Sequence, residues 1–500
     1  MDPRARTTER SRPFPEPFWP VRGFGRPTIL YLAALLLAEL GEFEFLFHTQ
    51  LWQLVSPDLL THDLARSVYY LHAQPPLLNL LAGLLLKSAA ALSVDPAVVA
   101  KPLFLVLGWL TTCGLHRLLL AVTASNAWAL GGTLLLLTDP AFWYFQNFFF
   151  YTLPLTAIFT AGAACLRSFL RSGSNRAFLG LAATLWLSVW LRALYHPAWA
   201  VLTTGAVLLA RRRVDRTAGS WLSRGTRATL VGLISLLALW PAKNLALFGQ
   251  WTYTTWGCYN FVTAPSWETR VIGAFTRRGV VPDTVRTEIA QFKQREGASA
   301  IPAIEEATKS DSTTNWNHYI FVLANRGATR RAIDYALHSP LEFVAQAAGN
   351  YFLWSGPAYR DSYSDRIEGP ASPSYQTYAT LHRRLFFPYL LPSDHPKGGA
   401  SGDAIRTPIQ RLTPFSGIVL PALLLAAAWR LAELERRRRR SDSAFLTILL
   451  FWIAWNLVVP AVSDAVESSR MRFPITPILI VVAALTLRPR RDEDHPQLTS

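Results

Sequence analysis

The chain has 500 residues, of which 51% are hydrophobic and 16% are charged. A soluble domain carries nearer a quarter charged residues, so this composition argues against an ordinary soluble enzyme. The formal net charge is +16, but the basic residues cluster at the ends of apolar runs, as in RRRVDR (211–216) and ERRRRR (435–440). That placement favours contact with anionic membrane lipids, and we expect no nucleic acid as a partner.

About ten apolar runs are long enough, or nearly long enough, to cross a bilayer as helices. These predicted spans lie at residues 27–47, 98–118, 127–140, 147–166, 177–192, 196–210, 227–248, 413–432, 444–462 and 473–488. The sequence therefore predicts an all-α polytopic protein of a cell membrane. Its three cysteines show neither a disulfide framework nor a metal-binding CxxC pattern.

The spans also predict how the chain is divided. We expect a disordered cytoplasmic tail at 1–26, an N-terminal transmembrane core at 27–248, an outer domain at 249–412, C-terminal transmembrane helices at 413–488 and a second tail at 489–500. The polar region 249–412 is too long for a structureless loop and contains helix-like stretches. We therefore expect the outer domain to be mostly helical.

The run PPLLNLLAGLLLK (75–87) has the composition of a span but begins with two prolines. If segment 75–93 does not cross the membrane, the later basic clusters all lie in the cytoplasm, as the positive-inside rule requires. If it does cross, they all lie outside. We therefore predict an embedded or re-entrant helix, surrounded by protein or a water-filled cavity, within a first outer loop at 48–97. The alternative is an ordinary span, with another span wrongly assigned.

Candidate acids lie in and beyond this loop. Asp58 and Asp63 occupy an apolar, aromatic stretch, where desolvation can make a carboxylate a better base. Either could instead cap a helix, since SPD and THD are plausible helix starts. Asp139, in TDP before an aromatic run, is a third candidate, or simply part of an interfacial turn.

Basic residues at predicted outer turns form the second group. Arg192 and His196 lie between two spans, and arginine suits phosphate oxygens, although a snorkelling side chain is the alternative. The run DAVESSRMRFPITP brings Glu467, Arg470 and Arg472 to the outer side, where the topology rule disfavours arginine. This indicates a bound anion, unless Glu–Arg pairs merely fix the turn.

Two further pairs complete the candidates. His72 and Gln74 precede the embedded helix and are candidate hydrogen-bonding or phosphate-contacting groups, because no second histidine stands at metal-like spacing from His72. In the outer domain, NWNHYIFV supplies Asn317 and His318. Such side chains suit a sugar or an acceptor, or ordinary packing.

The order of these motifs resembles the GT-C superfamily of polytopic glycosyltransferases, in the branch of the protein O-mannosyltransferases and the lipid A aminoarabinose transferase. The matching runs are LHAQPPLLNLL (71–81), TDP (138–140), KNLALFG (243–249) and ESSRMRFPITP (467–477). The last run follows the family's E-x-x-R-Y-R-x-P-x-x-P pattern, with Met471 in place of the tyrosine, and is the most specific. The resemblance covers most of residues 27–260 and 410–488.

This resemblance implies inverting transfer of a sugar from a polyprenyl-phosphate donor to an acceptor glycan, lipid or protein on the outer face. It implies that Asp58 or Asp63 is the general base, with Asp139 matching a second acid. It also implies that Arg470 and Arg472 lie beside the lipid phosphate. Some members use a divalent cation and others do not, so a cation is possible here.

The resemblance is not uniform. His72 and Gln74 stand where the family has a histidine directly before two prolines, but here two residues separate the histidine from them. Lys243 precedes Asn244 where arginine is common. Both acids of the first loop therefore remain candidates for the base.

Other classes of function predict different features. A lipid or glycan transporter predicts inverted repeats and helices broken at mid-membrane. The sequence contains no such repeat, and its charged residues gather at the predicted outer margin. A non-enzymatic relative would not need its loop acids.

Overall fold

The three-dimensional structure is a computed structural model that describes residues 25–39, 44–215, 223–256, 267–355, 373–387, 413–463 and 468–488. Regular structure in these ranges is helical, apart from isolated β-bridges at Leu46–Phe148 and Thr308–Thr314. The prediction of an all-α polytopic membrane protein is confirmed. Both predicted tails lie almost wholly outside the described residues.

The helices follow one another along the whole chain. Those before residue 256 are α1 (Gly25–Glu39), α2 (Pro57–His62), α3 (Leu64–Tyr69), α4 (Leu77–Leu92), α5 (Pro96–Thr123), α6 (Asn126–Leu137), α7 (Pro140–Gln146), α8 (Thr152–Ser172), α9 (Asn175–Leu191), α10 (Pro197–Val214) and α11 (Arg224–Phe248). Those after residue 266 are α12 (Trp267–Arg278), α13 (Asp283–Glu296), α14 (Pro302–Glu305), α15 (Ile320–Asn325), α16 (Ala328–His338), α17 (Pro340–Trp354), α18 (Pro373–Phe386), α19 (Leu420–Arg436), α20 (Arg440–Ser463), α21 (Ser468–Arg472) and α22 (Thr476–Leu487). A π-helix (Phe415–Val419) leads into α19, and a 3-10 turn (Phe473–Ile475) joins α21 to α22.

Local sequence signals set the helix ends. Asp95 caps α5, because its Oδ1 accepts a hydrogen bond of 2.7 Å from the backbone N–H of Ala97, and Pro96 occupies the first position of the helix. Helices α8 and α11 each end at a glycine with φ of +68°, Gly173 and Gly249, a conformation that side chains with a Cβ rarely adopt. These caps let long helices turn back within a few residues.

Six described helices are long and apolar enough to cross a membrane. They comprise α5, α8, α11, the run Phe415–Arg436, the run Arg440–Val462 and the run Arg470–Leu487. Each corresponds to a predicted span. The other four predicted spans correspond to α1, α6, α9 and α10, whose described parts have 12 to 18 residues.

The basic clusters meet at one end of the helix bundle, which we call the basic end. The contacts run from Arg167 to Asp442 (3.3 Å), from Arg440 to the backbone oxygen of Arg213 (3.4 Å) and from Arg488 to the backbone oxygen of Val122 (3.4 Å). Clusters distant in sequence thus share one end, as the positive-inside rule predicts for a single membrane face.

The opposite end of the bundle, which we call the loop end, collects the connections 44–56, 69–76, 139–151, 192–196, 250–256 and 470–475. Backbone hydrogen bonds join Leu46 to Asn147 (2.8 Å) and Thr255 to His72 (3.2 Å). The three candidate sets of loop acids, outer-turn arginines and His72 therefore lie at one end of the molecule.

Helix α4 begins and ends at this loop end. His72, shortly before it, contacts Thr255, and α5, which starts shortly after it, reaches the basic end only near Val122. With 16 residues, α4 is about 24 Å long, which is less than the hydrocarbon thickness of about 30 Å. The helix therefore does not run from one end of the bundle to the other.

A buried amide attaches α4 to the first loop. Asn79, with no exposed surface, accepts a hydrogen bond from the Val55 N–H (2.9 Å) and donates one to the Gln53 carbonyl oxygen (2.9 Å). A Cβ placed on Gly83 of α4 would lie 2.3 Å from Leu64 Cδ1 and 3.1 Å from the Leu60 carbonyl oxygen. The short helices α2 and α3 thus cross α4 at close range.

The polar region after α11 covers this loop. Lys309, whose side chain is fully buried, donates hydrogen bonds to the carbonyl oxygens of Thr49 (3.0 Å) and Leu51 (3.2 Å). Part of the same region also packs beside a span, since Asn350 of α17 donates to the Ala461 carbonyl oxygen (2.9 Å). The polar region is therefore anchored both to the first loop and to α20.

Candidate functional site

A short parallel pairing of two loop segments positions the candidate site. Leu46 N–H donates to the Asn147 carbonyl oxygen (2.8 Å), and Phe149 N–H donates to the Leu46 carbonyl oxygen (2.9 Å). Phe47 and Phe149 stack on one side of this pairing, with ring centroids 4.3 Å apart. The pairing fixes the course of residues 147–149, directly before Tyr151.

Two arginines converge on the ring of Tyr151. Arg470 donates a hydrogen bond of 3.0 Å to the Tyr151 hydroxyl oxygen, and its Cζ lies 4.3 Å from the centroid of the Phe150 ring. The Cζ of Arg192 lies 4.3 Å from the centroid of the Tyr151 ring. We call Phe150, Tyr151, Arg192 and Arg470 the arginine cluster.

Burial makes this cluster electrostatically unusual. Arg470 is 1% exposed and Arg192 is 6% exposed, so both guanidinium groups have lost most of their water. The Nη1 of Arg192 is buried and has no hydrogen-bond partner within the described ranges. Two desolvated cations around one ring repel each other, and cation–π contacts offset only part of that cost. An anion that accepts hydrogen bonds from both would stabilise them most.

A second layer of polar side chains supports the turn that carries Arg192. Asn456 of α20 donates a hydrogen bond of 2.7 Å to the Tyr195 hydroxyl oxygen, and Trp354 Nε1–H donates to the Asn456 side-chain oxygen at 3.2 Å. The Tyr195 N–H in turn donates to the Arg192 carbonyl oxygen (3.1 Å). Helices α17 and α20 therefore hold Arg192 in place through buried hydrogen bonds.

Arg472 lies in a different environment from Arg470. Its Cζ is 4.9 Å from the centroid of the Phe415 ring and 5.1 Å from that of Phe387. Two residues apart on one helix, the two arginines point to opposite faces. The structure therefore separates the two arginines that the sequence suggested as neighbours at one phosphate.

Asp139 lies near Arg472. Its Oδ1 accepts a hydrogen bond of 2.9 Å from the Ala141 N–H, which caps α7. Burial raises the pKa of Asp139, whereas the charges of Arg472 and His382 act against that rise. Both interpretations of Asp139 thus find support, because it caps a helix and also faces charged partners.

Asp58 and Asp63 lie on the surface. Asp58 is in α2, where its carboxylate is 3.5 Å from His62 and its side chain is 63% exposed. Asp63 is exposed at the junction of α2 and α3 and makes no side-chain capping hydrogen bond. The printed contacts of these acids do not include the arginine cluster in the described part of the chain.

His72 and Asn317 join the first loop to the polar region. The Asn317 side-chain oxygen accepts hydrogen bonds from the N–H groups of His72 (2.9 Å) and Ala73 (3.0 Å), and His72 Nδ1 lies 2.8 Å from the Thr255 hydroxyl oxygen. His72 has no exposed surface, and burial lowers its pKa well below the usual value. Gln74 is half-buried beside this junction. These contacts give His72 and Asn317 a structural role in the described residues.

The two remaining histidines are likewise bound to backbone. His318 is buried, its Nδ1 accepts a hydrogen bond from the Ile320 N–H (3.1 Å), and burial lowers its pKa to about 4. His196 caps α10, because its Nδ1 accepts from the Ala198 N–H (3.2 Å), and burial lowers its pKa too. His196 lies near the Tyr253 ring.

Some functional features fall outside the prediction or the described residues. Tyr151 and Asn456 were not among the predicted site residues, although the aromatic run after TDP signalled an unusual segment. Glu467 lies outside the described residues, so its predicted role stays a prediction. Among the residues described, no group of three or more His, Cys, Asp or Glu side chains is placed to hold a metal ion.

Comparison with known proteins gives one loose structural likeness. No family model and no curated protein matches the sequence. The chain is similar to the crystal structure of ArnT from Cupriavidus metallidurans bound to undecaprenyl phosphate, at 14% identity and a TM-score of 0.33, with 92% of this chain and 77% of that chain covered. So loose a likeness assigns neither a residue role nor an activity to this chain.

Proposed function

We propose that the protein is a GT-C-type glycosyltransferase that moves a sugar from a polyprenyl-phosphate donor to an acceptor, with its active site on the outer face of a cell membrane. The observation that carries this proposal is the arginine cluster, in which Arg192 and Arg470 share the ring of Tyr151 while nearly fully buried. The cluster lies at the end of the bundle opposite the basic end. By the positive-inside rule that end is the outer one.

The chemistry of a lipid-phosphate donor matches two buried guanidinium groups. When the bond between the sugar and the phosphate breaks, negative charge develops on the phosphate oxygens. Preorganised donors that meet this charge in a site without water stabilise the transition state more than the ground state. Arginine also offers paired N–H groups at the spacing of phosphate oxygens. In this proposal Arg192 and Arg470 hold the departing polyprenyl phosphate.

Arg472 and Asp139 form a second part of the proposed site. Arg472 adds positive charge at the loop end, and Asp139 faces it with a raised pKa. His72, Gln74 and His196 surround the same end of the bundle, where they shape the loop instead of contacting the cluster. We propose that Asp139 binds a hydroxyl or amine of the acceptor or the sugar.

An acceptor hydroxyl or amine needs a base within hydrogen-bond reach. Asp58 and Asp63 can fill that role only if α2 and α3 move onto the arginine cluster, because both carboxylates face away from it at the surface. Asp58→Asn and Asp63→Asn, assayed singly, test this: transfer unaltered in both variants removes these acids from the mechanism.

The test of the function itself compares Arg192→Gln and Arg470→Gln with Arg330→Gln, whose side chain is 88% exposed in the native protein. Transfer from radiolabelled polyprenyl-phosphate hexoses and binding of undecaprenyl phosphate are measured in detergent. We expect each cluster variant to lose about 10²- to 10³-fold in transfer, the usual cost of removing one such donor. The Arg330 variant should match the native protein.

The main competing function is transport of a lipid-linked sugar, because a buried arginine pair also suits a carried phosphate. Reconstituted vesicles distinguish the two functions. Movement of the lipid between leaflets without any glycosylated product would favour the transporter. Formation of product with no movement between leaflets would favour the transferase.

A further inference from the structure

His48 is a buried titratable group next to the arginine cluster that no assigned role uses. Its ring lies 5.9 Å from that of Phe148, measured between centroids. Its Nε2 is buried and makes no hydrogen bond to any described residue. A buried ring nitrogen without a partner costs about 1–3 kcal/mol, so the site is built for something that hydrogen-bonds there.

The parallel pairing of residues 44–48 with 146–150 directs this histidine. Side chains alternate along an extended segment, so residues 46, 48, 148 and 150 share one side, and residues 47 and 149 share the other. The stacking of Phe47 on Phe149 agrees with this alternation. His48 therefore lies on the side of Phe150, whose ring carries the guanidinium of Arg470 at 4.3 Å.

Aromatic rings connect His48 to the cluster without a gap. The ring of Phe148 is 5.7 Å from that of Phe150, so two rings in contact separate the imidazole from Arg470. A sugar whose phosphate lies on Arg470 would extend along these rings toward His48. The spacing suits a base that acts on the side of the sugar away from the phosphate.

We propose that His48 is the catalytic base that takes the proton from the acceptor, an inference that rests on the proposed glycosyltransferase function. The acceptor oxygen or nitrogen forms a bond to the anomeric carbon, and the bond from that carbon to the phosphate oxygen breaks. The electron pair leaves with the polyprenyl phosphate, between Arg192 and Arg470. The acceptor proton moves to His48 Nε2 and passes to water when the product leaves.

The protonation state of His48 suits this role. Burial lowers the pKa of His48, so the imidazole is neutral at pH 7 and its free nitrogen can accept a proton. Exposed Asp58 and Asp63 would need a movement of two helices to do the same. His48 needs no such movement, because the backbone hydrogen bonds at Leu46 already hold its segment against residues 147–149.

The experiment compares His48→Gln and His48→Ala with His338→Gln, a histidine that is exposed on α16. Transfer is measured with radiolabelled polyprenyl-phosphate hexoses, and donor-side binding is measured with undecaprenyl phosphate. Loss of a general base lowers the rate about 10²- to 10⁴-fold. We expect that loss in kcat for His48→Gln, with undecaprenyl phosphate binding within twofold of native and His338→Gln unchanged.

Chemical rescue separates a base from a structural histidine. Free imidazole should restore part of the activity of His48→Ala and none of that of Arg470→Gln. Native-like transfer by His48→Gln, or loss without rescue together with weakened undecaprenyl phosphate binding, overturns the assignment while leaving the proposed function in place. Absence of transfer and of undecaprenyl phosphate binding in the native protein overturns both.

Discussion

Arg470 donates a hydrogen bond to the hydroxyl of Tyr151 across 319 residues of chain. The arginine lies just before the last helix, and the tyrosine lies at the start of α8. The same tyrosine ring faces the guanidinium of Arg192. One phenol therefore orients two cations that come from distant parts of the sequence.

Replacing Tyr151 with phenylalanine tests this shared role. The ring and both ring–cation contacts remain, but Arg470 loses an acceptor worth about 1–2 kcal/mol. We expect undecaprenyl phosphate to bind about fivefold to twentyfold more weakly, measured by isothermal titration. Tyr335→Phe is the matched control, because the Tyr335 hydroxyl lies at 3.4 Å from Glu342 on α16 and α17. Equal binding by native protein and Tyr151→Phe would contradict the prediction.

Two substitutions at Asp139 separate capping from chemistry. Asparagine caps a helix about as well as aspartate, whereas alanine costs about 1 kcal/mol of stability. We expect Asp139→Asn to keep the native melting temperature and to lose more than tenfold in transfer, since it removes the carboxylate that faces Arg472. Asp139→Ala should lose both. If Asp139→Asn transfers normally and only Asp139→Ala melts earlier, the residue is a cap alone.

The close crossing at Gly83 predicts a stability difference between two glycines. Gly83→Ala would place a methyl group against Leu64 and the Leu60 carbonyl oxygen, and such overpacking costs about 1–3 kcal/mol. Gly205 of α10 has nothing within 4 Å of an added Cβ, so Gly205→Ala should gain up to about 1 kcal/mol from helix propensity. Melting in detergent should therefore fall for the first variant and rise for the second. A rise for both would show that α2 and α3 do not press on α4.

Acid should weaken the junction between the first loop and the polar region. Burial lowers the pKa of His318 to about 4, below an ordinary value near 6.5. Between pH 6.5 and 4 the unfolded chain binds a proton at this position that the folded protein does not, so stability falls as pH falls through that range. The full shift corresponds to about 3 kcal/mol. His72, with its pKa also lowered, acts in the same direction.

The melting temperature of His318→Asn, followed by tryptophan fluorescence from pH 7.5 to 4.5, measures this effect. Its loss of stability with acid should be smaller than that of the native protein. His338→Asn, at an exposed position, should follow the native curve. A native melting temperature that stays constant over this range would show that His318 is not neutral and buried.

Much of the helical architecture follows from the length of the apolar runs. Six predicted spans match helices of sufficient length, because runs of about 20 apolar residues have few other stable arrangements in a bilayer. The shorter helices α6 and α9 match predicted spans too, but their lengths depend on where caps and turns fall. Those boundaries reflect tertiary contacts that hydropathy alone does not encode.

The site was predicted less completely. Arg192 and Arg470 were both expected to bind phosphate, but their meeting on Tyr151 depends on the packing of α8 beside the last helices. Helical geometry alone could have separated Arg472 from Arg470, since residues two apart on a helix face opposite ways. The burial of His72 could not be predicted, because its partners Asn317 and Thr255 lie far away in the chain.

The position of Arg470 so near the end of the chain also affects biosynthesis. Translation proceeds from the N-terminus, and the early helices insert first. A ribosome-bound nascent chain that has exposed Tyr151 and Arg192 still lacks the second guanidinium. We therefore expect stalled chains that end before residue 468 to leave undecaprenyl phosphate unbound, so that the enzyme acquires its lipid only when synthesis is nearly complete.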